Sequence, residues 1–135
     1  MEEKRNESTS LRPEGERLLD AKLVRIDLSD LNEQIHRETA WLEGDRTAIT
    51  VFKTDDLRIV LIALHAGAEM KPHTAPGVIS VQVLKGKINF ATDQHHEDLE
   101  PGQMITLHKR IPHHVKAYED SSFLLTMATP GGTDN

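Results

Sequence analysis

Residues 67–86 read GAEMKPHTAPGVISVQVLKG and contain the strongest β-strand signal of the chain. Its second half, residues 78–84, is mostly apolar and rich in β-branched side chains. Such a run is typical of a strand that is buried on both faces. Lys85 and Gly86 follow directly and predict a two-residue hairpin turn into a further strand over 87–92.

Similar β signals extend on both sides of this stretch. Residues 57–64 form a nearly unbroken apolar run, which predicts a strand in the middle of a sheet. Residues 100–103 read EPGQ and fit a type II turn, because proline stands at its second place and glycine at its third. Further strands are predicted over 49–52, 104–107, 115–118 and 123–127. Roughly eight strands at this spacing indicate an all-β barrel.

Five residues in these segments resemble the two signature motifs of the cupin superfamily. Gly67, His73 and Gly86 stand at the spacing of the first motif, and Gly102 and His113 stand at the spacing of the second. The chain is similar to a small, single-domain cupin with a conserved cupin-2-like barrel. The resemblance implies an all-β fold, a double-stranded β-helix or jelly-roll barrel.

The resemblance also implies a metal site that this chain keeps only in part. The family binds a divalent transition metal through three histidines and a glutamate, but Ala75 and Ile79 stand at two of these four positions. The second motif departs at its Pro, Gly and Asn positions, which hold His108, Arg110 and Ala117. His73 and His113 remain as candidate metal ligands. They predict either no bound metal or a weakly bound zinc, nickel, iron or manganese ion.

A ligand pocket is predicted beside these histidines. Alternation along strand 78–84 places Ile79, Val81 and Val83 on one face, where they would line an apolar cavity. The same lining is also what a filled small barrel has. The predicted pocket residues are His73, Ala75, Ile79, Val81, Val83 and His113. No cysteine is present and no Gly-x-Ser-x-Gly motif occurs, so nucleophilic catalysis finds no support.

The region before the barrel divides into two parts. Residues 1–18 are charged and polar, and we expect a disordered tail there. Residues 19–46 hold an arm and a helix of about ten residues, for which Ser29 and Asp30 offer N-cap oxygens. Trp41 and this helix are expected to pack on the barrel, which spans 47–129 and is followed by a C-terminal tail over 130–135.

Composition excludes several classes of partner. The chain has 135 residues, the length of a single domain. Its net charge is −6, and it has no basic block that would bind nucleic acid. No apolar stretch reaches the roughly 18 residues that span a bilayer, so no membrane partner is expected. The first residues are charged where a signal peptide would be apolar, and the predicted location is cytoplasmic.

Three functions remain open from the sequence. The first is a module that binds or senses a small molecule, with His73 and His113 as polar groups in an apolar cavity. The second is a metal-dependent enzyme, such as a dioxygenase or isomerase, with a reduced set of histidine ligands. The third is a filled barrel with a structural or dimerisation role. A homodimer is expected because 57–64 and 78–84 carry more apolar surface than one barrel interior covers.

Overall fold

A computed structural model describes residues 4–6 and 17–130. Two short helices precede most of the strands, α1 (Leu28–Arg37) and α2 (Thr39–Glu43). The strands are β1 (Lys4–Asn6), β2 (Arg17–Asp20), β3 (Arg46–Lys53), β4 (Leu57–Leu64), β5 (Glu69–His73), β6 (Ile79–Lys85), β7 (Ile88–Ala91), β8 (His96–Leu99), β9 (Met104–Leu107), β10 (His113–Ala117) and β11 (Ser121–Ala128).

Two antiparallel sheets form the barrel. One has five strands in the order β3-β4-β11-β6-β9, and the other has four strands in the order β5-β10-β7-β8. This arrangement confirms the predicted all-β jelly-roll barrel and the central position of β4. Because β8 and β9 are edge strands of different sheets, the two sheets are open to each other along that side.

The core between the sheets follows from alternation along the strands. In β6, Ile79, Val81 and Val83 are buried, while Ser80 and Gln82 between them are only half-buried. Inward side chains of both sheets meet in one cluster, as in other two-sheet packings. The buried residues of this cluster are Ile62, Leu64, Ala68, Ile79, Val81, Val83, Ile88, Phe90, Leu99, Val115, Ala117 and Phe123.

A second apolar cluster lies on the outer face of the five-stranded sheet. Leu61 and Ala63 of β4 belong to it, and Ile35 and Trp41 from the two helices cover them. The sequence predicted that a second copy of the chain would cover outward apolar residues of 57–64. The helices cover part of that surface instead, and the homodimer stays a prediction.

The N-terminal segment differs from expectation in two respects. Helix α1 begins after Asp27, whose carboxylate accepts a 3.0 Å hydrogen bond from the Asp30 backbone N–H, so the predicted N-cap at Ser29 or Asp30 is wrong. Residues 4–6 and 17–18, predicted to belong to a disordered tail, lie in β1 and β2, which pair with each other. Residues 1–3, 7–16 and 131–135 of the predicted tails lie outside the described residues.

Of the two turns predicted from the sequence, one is present and the other is wrong. Residues 100–103 form the expected turn, with the Gln103 N–H donating to the Glu100 carbonyl over 2.9 Å and Gly102 at a φ of 88°. The hairpin at Lys85-Gly86 is wrong, because β6 and β7 belong to different sheets. Gly86 instead carries the chain from one sheet to the other with a φ of 84°.

No helix in the described part of the chain is long and apolar enough to cross a membrane.

Replacing Gly86 with alanine should destabilise the fold more than the same change at Gly102. Both glycines have positive φ, so both variants carry a backbone penalty of about 1–2 kcal/mol. At Gly86 the new methyl group would also lie 2.4 Å from the Asp120 carbonyl oxygen, whereas at Gly102 it meets no atom within 4 Å. Chemical unfolding of both variants measures the difference. Equal losses of unfolding free energy in the two variants would mean that the backbone at Gly86 has room for a methyl group.

Trp41→Ala should cost about 3 kcal/mol of unfolding free energy, as for other buried aromatic residues. Trp41 is 6% exposed, and its ring stacks on His65 with centroids 3.5 Å apart. The His65 ring also contacts the Trp41 carbonyl through Nε2 at 2.7 Å. The neighbouring Leu42 is 69% exposed, and Leu42→Ala should cost no more than about 0.5 kcal/mol. A small loss at Trp41 in urea unfolding would contradict a docked helix.

Candidate functional site

His73 and His113 lie side by side on neighbouring strands. They are direct partners in the register of β5 and β10, and their ring centroids are 4.4 Å apart with a tilt of 60°. His113 is only 4% exposed, whereas His73 is exposed. The two histidines that the motif spacing identified are therefore neighbours in the structure.

Both rings are held in the same tautomer. Nδ1 of His73 lies 2.8 Å from the Lys71 carbonyl oxygen, and Nδ1 of His113 lies 2.8 Å from the Ile111 carbonyl oxygen. A carbonyl oxygen only accepts, so each Nδ1 carries the hydrogen and donates it. In the neutral rings Nε2 is then the unprotonated nitrogen, which is free to accept a hydrogen bond or bind a metal.

The environment of His113 favours its neutral form. Burial lowers the pKa of His113 below the ordinary value, and nearby His73 and His114 lower it further, although the hydrogen bond to Ile111 acts in the opposite direction. One face of the His113 ring is covered by Phe90, which stacks on it with centroids 5.4 Å apart and an interplanar angle of 16°. The buried imidazole is therefore a hydrogen-bonding group without charge near neutral pH.

The residues around this pair do not fit the complete metal site of the family. No group of three or more His, Cys, Asp or Glu side chains that could hold a metal ion occurs within residues 17–130. Ile79, at the position of the glutamate, is 2% exposed and packs in the apolar core, and Ala75 packs against the same cluster. Two imidazoles without a carboxylate are too few protein ligands for a divalent ion.

A cleft of about 840 Å³ opens where the two sheets separate. Its inner walls are apolar, with Phe90 and Leu99 on one sheet and Ile105 and Leu107 on the other. Ile105 pairs with Val81 and Leu107 pairs with Ile79, so both share the inward face of their sheet. The volume lies within the range of about 300–1,000 Å³ that is common for ligand pockets.

Phe90 and Ile111 connect the cleft with the histidine pair. Both residues line the cleft. The Phe90 ring stacks on His113, and the Ile111 carbonyl accepts a hydrogen bond from Nδ1 of His113. The imidazole of His113 therefore lies directly behind the cleft wall.

The rim of the cleft is polar and acidic. Three carboxylates line it, Asp93, Glu97 and Asp98, together with neutral polar residues and His95. Neither lysine nor arginine is among the lining residues. Asp93 lies in a tight turn over 92–95, in which the Thr92 hydroxyl accepts from the Gln94 and His95 backbone N–H groups at 3.4 Å and 3.1 Å.

The six predicted pocket residues lie next to this cleft and do not line it. Ile79, Val81 and Val83 lie on β6, beside β9, and are buried in the core. His73 ends β5, Ala75 lies between β5 and β6, and His113 begins β10. Contact of a ligand with these six residues stays a prediction.

Sequence reasoning missed the cleft because its strand β8 has no apolar pattern. His96, Glu97 and Asp98 are exposed and only Leu99 is buried, as is usual for a charged edge strand. His95 lies in the turn over 92–95, and His96 begins β8. One signal was available, since Leu99 directly before the turn at 100–103 marks the end of a strand.

The pH dependence of stability should contain a contribution from His113. Its pKa is lowered on folding, from an unfolded value of about 6.5, so the unfolded chain binds more protons below that pH. Stability is then fully present above about pH 6.5 and falls as the pH drops toward the folded pKa. His113→Phe keeps an aromatic ring against Phe90 and should reduce this loss in urea unfolding between about pH 7.5 and 5. An unchanged pH dependence, or an NMR titration midpoint of His113 above 6.5, would contradict a neutral buried ring.

Solved structures provide the comparison with known proteins, since no family model and no curated protein matches the chain. A conserved protein of unknown function from Streptococcus pyogenes is 31% identical, with a TM-score of 0.61 over 65% of this chain and 78% of that one. A cupin 2 conserved barrel domain protein from Leptotrichia buccalis is 26% identical, with a TM-score of 0.60 over 64% and 42% of the two chains. A cupin superfamily protein from Desulfitobacterium hafniense is 16% identical, with a TM-score of 0.61 over 64% and 79%. The chain therefore has the small barrel fold of these cupin proteins.

Proposed function

We propose that the protein binds a small organic molecule in the cleft between β8 and β9. The single observation that carries this proposal is the cleft itself, about 840 Å³ with apolar inner walls and a polar rim. A pocket of this kind takes up the apolar body of a ligand, while a few polar groups orient it. A barrel with a purely structural role has no need of such a space.

The histidine pair lies behind one wall of this site and would supply a polar contact if Phe90 moved aside. His113 is buried behind Phe90, and its neutral ring presents Nε2 as an acceptor. Rearrangement of Phe90 would bring a ligand within reach of His113 and His73, which are 4.4 Å apart between centroids. Binding in the cleft and sensing through this pair are compatible with one another.

The metal-dependent enzyme that the sequence left open has less support. An ion held by His73 and His113 would need water or the ligand itself to complete its coordination shell. The proposed binding in the cleft therefore requires no metal. A weakly bound zinc, nickel, iron or manganese ion at the pair would add a second group that the ligand could contact.

Binding in the cleft can be mapped with 2-phenylethanol, a neutral probe with an aromatic body. Titration into ¹⁵N-labelled protein should shift amide signals of 97–99, 104–107 and Ile111 and leave those of β3 and β4 unchanged. Ile105→Trp adds a large ring to one wall of the cleft and should weaken binding at least about tenfold, as expected when a pocket is filled. Lys109→Trp adds the same ring at an exposed position outside the lining and should leave binding unchanged.

Shifts that scatter over the surface, or equal affinity in the Ile105→Trp variant, would reject the cleft as a binding site. A complete lack of response to aromatic and aliphatic probes would favour the structural barrel instead. The dispersion of the amide spectrum reports whether each variant is folded.

A further inference from the structure

We propose that the cleft selects organic cations, molecules with an apolar body and an ammonium, amidinium or guanidinium group. This inference rests on the proposed function, because it assigns a ligand class to the same cleft. It follows from how charge and apolar surface are distributed over the lining.

The charges that line the cleft are of one sign. Asp93, Glu97 and Asp98 contribute carboxylates, and no lysine or arginine stands among the lining residues to neutralise them. Lys87 acts on Asp98 from outside the lining, and the chain as a whole is negative, with a net charge of −6. A cleft lined by one sign of charge concentrates ligands of the opposite sign.

Glu97 is the carboxylate that faces the ligand space. It is the direct register partner of Phe90 across β7 and β8, and residues opposite each other in a sheet share a face. Phe90 points into the barrel, so Glu97 lies on the same inward side at the open edge. Its carboxylate makes no hydrogen bond or ion pair within the described ranges 4–6 and 17–130. A ligand cation would be its first partner.

Asp98 is held in a different way. Its Oδ1 accepts hydrogen bonds from Asn89 Nδ2 at 2.9 Å and from the Tyr118 hydroxyl at 2.8 Å. These two hydrogen bonds, that from Asn89 most strongly, lower the pKa of Asp98, so the group stays ionised at the rim. Asp98 therefore contributes negative charge from the face of the sheet opposite to Glu97, and Glu97 is the carboxylate available for direct contact in the cleft.

The apolar walls define the rest of the ligand. Ile105 and Leu107 face Phe90 and Leu99 across the inner part of the cleft, and none of these side chains can solvate a charge. A small inorganic cation would gain nothing from them, whereas the hydrocarbon or aromatic part of an organic cation would be removed from water. The cation group then lies at the rim beside Glu97 and the apolar body lies deeper.

Three probes of similar shape test the selection by charge: 2-phenylethylammonium, 2-phenylethanol and 3-phenylpropanoate. At about pH 7.5 the amine is protonated and the acid is ionised. Amide shifts in the cleft, followed by titration, should give the ammonium an affinity about fivefold above the alcohol, the upper end of what one exposed ion pair supplies. The carboxylate should bind more weakly than the alcohol. Added salt should reduce the preference for the ammonium.

Glu97→Gln removes the charge and keeps the shape of the side chain. It should lower the affinity for 2-phenylethylammonium about fivefold and leave that for 2-phenylethanol unchanged. Glu69→Gln is the matched control, because Glu69 is exposed on β5 at the opposite edge of the same sheet, and it should alter neither.

The possible outcomes separate this inference from the proposed function. If 2-phenylethanol maps to the cleft and the ammonium binds no better, or if Glu97→Gln weakens both probes equally, the cleft binds small molecules without selecting cations. If the carboxylate probe binds best, the inference is also wrong. If none of the probes binds in the cleft, the proposed function fails as well.

Discussion

The two sheets are held together by side chains that interdigitate between them, and every other feature of the barrel depends on this packing. Val81 and Val83 from one sheet and Phe90 and Val115 from the other are buried in one cluster. Backbone hydrogen bonds link strands only within each sheet, so the distance between the sheets is set by side-chain volume. At the edge strands β8 and β9 the sheets separate, and the inward residues Leu99, Ile105 and Leu107 line the cleft that begins there.

The same packing explains the position of the histidines. Phe90 belongs to the core, stacks on His113 and lines the cleft, and it thereby joins three parts of the molecule. Burial behind Phe90 keeps His113 neutral, while the Ile111 carbonyl fixes the ring orientation. The partial metal motif is therefore a pair of oriented imidazoles, of which His113 is buried behind Phe90 and His73 is exposed.

The fold could be predicted to a large extent because strong signals coincide in the sequence. Apolar alternation in 78–84 and glycine at positive φ in Gly86 and Gly102 each reflect a local requirement of the barrel. Strand β5 was missed because it contains Pro72 and four of its five residues are exposed. The direction of the chain after Gly86 was wrong because a tight turn does not determine which sheet the next strand joins.

The candidate site could be predicted only in part. The pairing of His73 with His113 followed from motif spacing, because cross-strand register is fixed by the fold. The cleft did not follow, since it is formed by a gap between two edge strands and not by a run of similar residues. Glu97 carries no signal in the sequence, and its importance arises only from its position opposite Phe90 in the sheet.

The two helices bury part of the outer face of the five-stranded sheet. Trp41 and Ile35 cover Leu61 on the side opposite the inner core, so β4 is packed on both faces within one chain. Both faces of β4 are thereby covered by side chains of the same chain.

A crystal structure of the protein soaked with 2-phenylethylammonium would test most directly whether the gap between the sheets is a site for organic cations. We expect the phenyl ring between Leu107 and Phe90, with the nitrogen within about 3 Å of a Glu97 carboxylate oxygen, as in a charge-assisted hydrogen bond. A ligand bound elsewhere on the barrel, or one in the cleft whose nitrogen points away from Glu97, would contradict this.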